Sequence, residues 1–395
     1  MKKVSPKGAP FLAAVPLATI HFLVFLTFLP DAIRGATDFR HLYTAGYMLL
    51  HGHGRELYDF GAMVALQNQI VGNIGGGWLP FNHLSFEAVF FAPFALMPFG
   101  TAYLVFLAVN FALLFWSMGA LKPAFGNLSE VPEWLFWVFP FGFVGCFAAI
   151  AEGQDSILLL TLMVLAVALM RQDRDLAAGS TLALSLFKFQ FVLPIVALYA
   201  CWKRWRLVLG FILSAALLLA ISVLIVGPEG VATYFKELQT MAMQPGRTGG
   251  ALFGISTDSM VNLRGLVSTF WSGHPSDGKR TGLIIAMSLV VMVWGALQRP
   301  SFSLSIGVAV LVSHHCFVTD AVILLIPLAT LIRRAKYWTA LLTIATPSVT
   351  LIAGLGVSLM SVPITVMAIF CAQRESAEIV RVSPESEAEP SAVDP

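Results

Sequence analysis

Charge is what this sequence has least of. Only 12% of its 395 residues are Asp, Glu, Lys or Arg, about half the share of an ordinary soluble chain. The 24 basic and 22 acidic side chains leave a formal charge of +2, too little to attract a polyanion, so a nucleic-acid binder is excluded. Cysteine is scarce as well. Cys146, Cys201, Cys316 and Cys371 stand far apart without a C-x-x-C or zinc spacing, which leaves disulfide, metal-cluster and redox chemistry without support. The chain has no G-x-x-x-x-G-K-[ST], no G-x-S-x-G and no H-E-x-x-H, so P-loop, nucleophile-elbow and zincin mechanisms are absent. Polar stretches stay below about 60 residues, too short for a nucleotide-sugar domain of roughly 100. No repeat of 20–50 residues is visible.

Apolar residues fill the space left by charge. They make up 57% of the chain, with 31 Phe and 9 Trp, and the mean hydropathy is +0.81. A membrane helix needs roughly 20 mainly apolar residues. Such runs fall near 11–30, 101–120, 133–151, 154–170, 207–227, 282–297, 301–318 and 320–332, and 337–372 has room for two more. The expectation is an all-α polytopic membrane protein of about 10–12 membrane segments, one domain over 1–372, with a disordered cytoplasmic tail over 373–395. The first run is too long for a signal-peptide core and reads as a retained anchor.

Positive charge orients the chain. Lys2, Lys3 and Lys7 place the N-terminus in the cytoplasm, and Arg171/Arg174, Lys203/Arg204/Arg206 and Arg333/Arg334/Lys336 mark further cytoplasmic loops. Segments 31–86 and 228–281 then lie outside. The 26 residues 176–201 sit between two cytoplasmic loops and must enter and return, bending near Lys188 and Pro194. Parity requires that either 86–99 or 133–151 fail to cross.

Charged groups at membrane depth cost roughly 2.5–3.5 kcal/mol each, and here they gather on the outer side. Asp38, Arg40 and His41 follow the first span; His83 and Glu87 open the run 86–99. Glu152, Gln154 and Asp155 form a turn, Lys188 and Gln190 occupy the hairpin bend, and His314, His315 and Asp320 separate two late spans. Each has an ordinary explanation: a solvated Asp38, an Asp155 that caps its helix, a snorkelling Lys188, loop histidines. Five sequence-distant places contributing to one side is the pattern of an active or a transport site.

Six blocks carry a family resemblance. DFRHLYTAGYMLLHGHGRELYDF (38–60), FNHLSFEAVFFAPFALMPFGTAY (81–103), EGQDSILLL (152–160), LAAGSTLALSLFKFQFVLP (176–194), NLRGL (262–266) and SHHCFVTDAVILLIP (313–327) resemble, in order and spacing, glycosyltransferase family 87, integral-membrane enzymes of the GT-C fold. The resemblance runs from about residue 12 to about 335. The chain departs from the family pattern at Leu84–Ser85, Asp155 and Phe189, where Pro-Pro, Asn and Pro are common.

The resemblance implies a GT-C helical bundle with a long first outer loop carrying interfacial helices. It also implies transfer of a hexose, typically mannose, from a polyprenyl-phosphate donor to a glycolipid or glycan acceptor outside the cytoplasm. Asp38 takes the family's position of general base. Lys188, His315 and Arg264 are then the cations for the donor phosphate. Arg40, His41, His83, Glu87, Gln154, Asp155, Gln190 and Asp320 bind sugar or position loops. No cofactor beyond the donor substrate is implied. No metal is expected, since the carboxylates are not clustered in sequence. The expected location is a bacterial inner membrane, multi-pass, with the site on its outer face. A secondary transporter or lipid flippase also fits polar residues within spans, and a GT-C enzyme using another lipid-linked sugar stays open as a third reading.

Overall fold

The computed structural model describes residues 6–72, 79–243, 257–271 and 278–373. Lys2, Lys3 and the tail from Arg374 onward lie outside the described residues. Within them the regular structure is helical, with no strand. The first half holds α1 (Ala9–Ile33), α2 (Phe39–Leu50), α3 (Phe60–Ile70), α4 (Phe86–Phe91), α5 (Phe99–Leu121), α6 (Glu133–Val138), α7 (Val144–Ala151) and α8 (Ser156–Arg171). Then come α9 (Asp175–Leu184), α10 (Phe189–Cys201), α11 (Trp205–Met243), α12 (Leu263–Phe270) and α13 (Gly278–Leu297). The chain closes with α14 (Phe302–Val312), α15 (Leu325–Arg333), α16 (Tyr337–Ile352) and α17 (Ser361–Ala372).

Among the described residues, five helical runs are long and apolar enough to cross a membrane: Pro6–Ile33, Phe99–Phe125, Asp175–Cys201, Trp205–Gln239 and Gly278–Leu297. The pair Glu133–Gly142 and Val144–Ala151, bent by 69°, makes a sixth. The other apolar helices are shorter, so the ten to twelve segments divide into a few full spans and several partial ones. The protein is a polytopic helical membrane protein.

Contacts along α1 decide which of the two doubtful segments crosses. Lys7 bonds the Asn127 carbonyl, Phe11 stacks near Phe125 and Phe139, His21 bonds the Phe141 carbonyl at 2.8 Å and lies against Phe147, and Phe39 N–H donates to the Glu152 carbonyl at 3.0 Å. Residues 127–152 therefore follow α1 from one end to the other, and the bent pair crosses. Segment 86–99 stays at the far end. There Tyr43 Oη donates to the Met97 carbonyl at 2.8 Å, and Gly46 lies so close to Phe91 that a Cβ would strike its backbone.

The run Asp175–Cys201 does fold back. A straight helix of that length would be roughly 40 Å long, yet Asp175 pairs with Arg204, just past its end, at 2.8 Å. The break falls at Ser185–Lys188, where Lys188 has φ −115° and ψ 55°; Pro194 lies inside α10. The basic residues Lys7, Arg204 and Arg333 share one end of the bundle, since Arg333 packs on Gly126 and Tyr199 meets Phe302, next to the Ser303–Thr330 hydrogen bond. Lys188 is at the opposite end.

Two glycines bring α9 and α11 together. A Cβ on Gly179 would run into the Leu207 carbonyl, and one on Gly210 into that of Leu176; such small-residue contacts let helix backbones touch in lipid. Overpacking costs about 1–3 kcal/mol, so Gly179→Val should lower the thermal midpoint of the detergent-solubilised protein. A Val variant melting with the wild type would mean that this crossing carries no stability.

Helix α2 lies in the loop for which the resemblance implies interfacial helices, and neighbouring protein covers most of its surface. Phe39 to Gly46 and Met48 are all buried, packed under 86–96 and α5. Its Phe39 ring is enclosed by Phe91, Phe94, Phe99, Tyr103 and Phe106 at centroid distances of 4.9–6.2 Å. The helix is thus part of the core that carries the site.

Candidate active site

Asp38 occupies the position before the first residue of α2, yet its side chain does not cap that helix. Its Oδ2 accepts instead from Gln154 Nε2. The turn that brings Gln154 there is fixed by glycine. Gly153 has φ +59°, and any side chain on it would collide with Phe39. Tyr103 Oη clamps the same turn by donating to the Ala151 carbonyl at 2.8 Å.

Behind Gln154 lies a network of buried charge. Lys188 Nζ is 2.9 Å from Asp155 Oδ1 and 2.7 Å from Asp320 Oδ1, and it donates to Gln154 Oε1 and Ser156 Oγ at 3.3 Å each. Ser156 Oγ donates to Asp320 at 3.0 Å, and Asp320 Oδ2 accepts the Phe317 N–H at 3.1 Å. On the other side of Asp155, His83 Nδ1 is 3.3 Å from Asp155 Oδ2 and 2.5 Å from Glu87 Oε2. Asp155 also departs from its simplest reading: no side-chain cap bond forms on α8, because both oxygens face cations.

The protonation pattern follows from this packing. Burial alone would lower His83, but the charges of Glu87 and Asp155 raise it to about 10. Burial would raise Asp155, yet Lys188 and His83 hold it well below the usual carboxylate range. His41, buried beside the charged His83, drops to about 3 and stays neutral. Burial pushes Asp38 above its ordinary value, while the Gln154 bond and the Lys188 charge pull it back. A carboxylate so balanced can be ionised and still basic.

These groups open onto one cavity of about 380 Å³. Asp38, His41, His83, Gln154, Lys188, Gln190, Arg264, His315 and Asp320 all line it. Glu87 and Asp155 sit directly behind this wall, and Arg40 is buried beside Asp38 without reaching the cavity. Arg264 Nη1 donates to the His314 ring at 2.8 Å and to its carbonyl at 3.0 Å. His314, lowered to about 4 by burial and by Arg264, accepts as a neutral ring. Arg264 is placed by Asn262, which caps α12 through the Gly265 N–H at 3.0 Å and ties it to the Ser313 carbonyl at 2.6 Å. The sequence reading passed over Asn82, Ser156, Asn262 and Thr319. All four stand inside the blocks that carry the family resemblance, and that was the signal which could have found them.

Distance in sequence concealed one cluster. His83, Glu87 and Asp155 offer ligand atoms within 4.8 Å of one another. The 2.5 Å separation of His83 Nδ1 and Glu87 Oε2 suits a shared proton. Ligands about 2.0–2.2 Å from one metal ion stand roughly 3 Å or more apart.

Residues 85–314, more than half the chain, match the family model for Glycosyltransferase family 87. The chain belongs to that family. It is a membrane glycosyltransferase. No curated protein and no solved structure matches it. The family match covers Glu87, Gln154, Asp155, Lys188, Gln190, Arg264 and His314; Asp38, His41, His83, His315 and Asp320 join them in space from outside it.

Proposed function

We propose that this glycosyltransferase moves a hexose, mannose in this reading, from a polyprenyl-phosphate donor to an acceptor hydroxyl, with inversion at the anomeric carbon and Asp38 as general base. The observation that carries this reading is the shared cavity: a half-buried, hydrogen-bonded carboxylate and an arginine with uncommitted donors line the same space. In the displacement, the acceptor oxygen bonds to the anomeric carbon as its proton passes to Asp38. The bond from that carbon to the donor phosphate oxygen breaks, and polyprenyl phosphate leaves with the electron pair.

The cation for that leaving group is best assigned to Arg264. Lys188 has three N–H donors and four acceptors within 3.3 Å, so its charge is committed to the protein. His315 is lowered to about 4 by burial and offers a hydrogen bond, not a charge. Arg264 spends only Nη1 on His314, and its other guanidinium nitrogens have no protein partner among the described residues. Gln190, His41 and His83 are placed to meet sugar hydroxyls. Transfer of radiolabelled mannose from polyprenyl-phosphate-mannose by purified protein tests the reading. Transfer only from another lipid-linked sugar would keep the mechanism and change the substrate.

The cavity end of the bundle is assigned to the extracytoplasmic side of a bacterial inner membrane, because the basic residues cluster at the other end. Nucleotide sugars are confined to the cytoplasm, which fits a lipid-linked donor. In a Cys201→Ser background, Arg55→Cys should react with an impermeant maleimide in intact cells. Asp173→Cys should react only after permeabilisation. The reverse pattern would invert the topology.

A further inference from the structure

We propose that Lys188 is a positioning residue: by donating to the Gln154 carbonyl oxygen it fixes the amide so that its nitrogen faces Asp38, and thereby sets the proton affinity of that carboxylate. The inference deepens the reading of Asp38 as the base and rests on it.

A glutamine amide has a donor end and an acceptor end of nearly equal shape, and its neighbours select the orientation. Here the selection is unambiguous. Lys188 can only donate, and ionised Asp38 can only accept. Gln154 Oε1 therefore turns to Lys188 at 3.3 Å and Nε2 to Asp38. Reversal would put one oxygen against a carboxylate and an amide nitrogen against an ammonium. The lysine is itself held in place, since Asp155 at 2.9 Å and Asp320 at 2.7 Å come from the turn before α8 and the segment before α15. Its position at the break between α9 and α10, where the backbone leaves helical geometry, aims the side chain across the turn at Gln154. Three separated stretches thus meet on one amide that touches the base.

A donor hydrogen bond stabilises the ionised carboxylate, so losing it raises the proton affinity of Asp38. Lys188 also lowers Asp38 directly through its charge, and the other groups acting on Asp38 are Arg40 and His41 from α2, Glu152 and Asp155 from the turn before α8, and Asp320; His83 shares the cavity wall. All of these remain when the amide contact alone is removed.

The experiment is kcat/KM against pH, with donor KM at the optimum, for wild type, Gln154→Met, Lys188→Met and the double variant. Each single variant should move the acid limb upward by about one to two pH units at unchanged donor KM, and the shift in the double variant should fall short of the sum of the two, because only the direct charge of Lys188 is left to lose once the amide is gone. Should Lys188→Met fail to accumulate, because Asp155 and Asp320 lose their cation, Gln154→Met and Gln154→Glu decide the matter. Both keep those ion pairs, and Glu, placing a second carboxyl beside Asp38, should shift the limb furthest. A raised donor KM in Lys188→Met with the acid limb in place would make the lysine a phosphate ligand and overturn the proposal. An unmoved limb in Gln154→Met would overturn it as well. If Asp38→Asn is inactive while both limbs stay put, the positioning role alone fails. If Asp38→Asn turns over at the wild-type rate, the base assignment fails and the positioning role fails with it.

Discussion

Asp38→Asn is expected to lower turnover by about 10²–10⁴-fold, the usual contribution of a general base, while donor KM stays near the wild-type value. Asparagine keeps the size of the side chain and can still accept from Gln154 Nε2 through its carbonyl oxygen. It cannot take the acceptor proton. The fold should tolerate the change, because Asp38 caps nothing and the neighbouring Phe39 supplies the packing, its ring enclosed by five aromatic side chains. The wild-type pH profile supplies a second check. Burial holds Asp38 above its ordinary value, and only the ionised form works as a base. Activity should therefore fall as pH drops through a midpoint above the ordinary carboxylate value. Asp38→Asn should abolish that limb. Wild-type turnover by the Asn variant, in transfer from polyprenyl-phosphate-mannose, would remove Asp38 from the mechanism.

Much of this arrangement could be read before any coordinates. Low charge and long apolar runs specified the polytopic helical class, since twenty apolar residues have few other uses. Polar residues within or beside apolar runs are costly, so Asp38, His83, Gln154, Lys188 and Asp320 were visible as exceptions, Arg264 came in through the family resemblance, and the structure gathers all six around one cavity. The return of 176–201 followed from basic loops on both sides, and the Asp175–Arg204 pair bears it out.

Partner choice was not legible. Sequence shows that Lys188 is a buried cation but not that Asp155 and Asp320 consume its charge, because those contacts span 33 and 132 positions. The same limit hid the His83–Glu87–Asp155 cluster, two members of which are four residues apart while the third comes from another helix start. The resemblance implied interfacial helices in the first outer loop, and the apolar spacing of α2 suits an interface. That pattern is the same when the polar face is buried as well, and only the burial of Arg40, His41 and Thr44, with 86–97 against Phe39, Tyr43 and Gly46 on the other side, distinguishes the two.

Arg264→Gln is expected to raise donor KM by about 10–100-fold, the range for losing one charge-assisted hydrogen bond at a site shielded from water. The side chain lines the cavity, and burial together with neighbouring Arg280 lowers it to about 10; it remains charged at neutral pH. A charge that is partly destabilised in the free enzyme gains more from the arriving phosphodiester monoanion than a fully solvated one would. Arg264→Lys should recover part of the loss, because it keeps the charge but cannot hold His314 and a phosphate oxygen at once with a planar fork. The acid limb should not move in either variant, since Arg264 does not contact Asp38 or Gln154. That separates it from Gln154→Met, where the limb moves and donor KM does not. An Arg264→Gln enzyme with unchanged donor KM but reduced turnover would place the guanidinium on the departing phosphate of the transition state only. One unchanged in both would take Arg264 out of donor recognition and leave it as the anchor of α12 on His314.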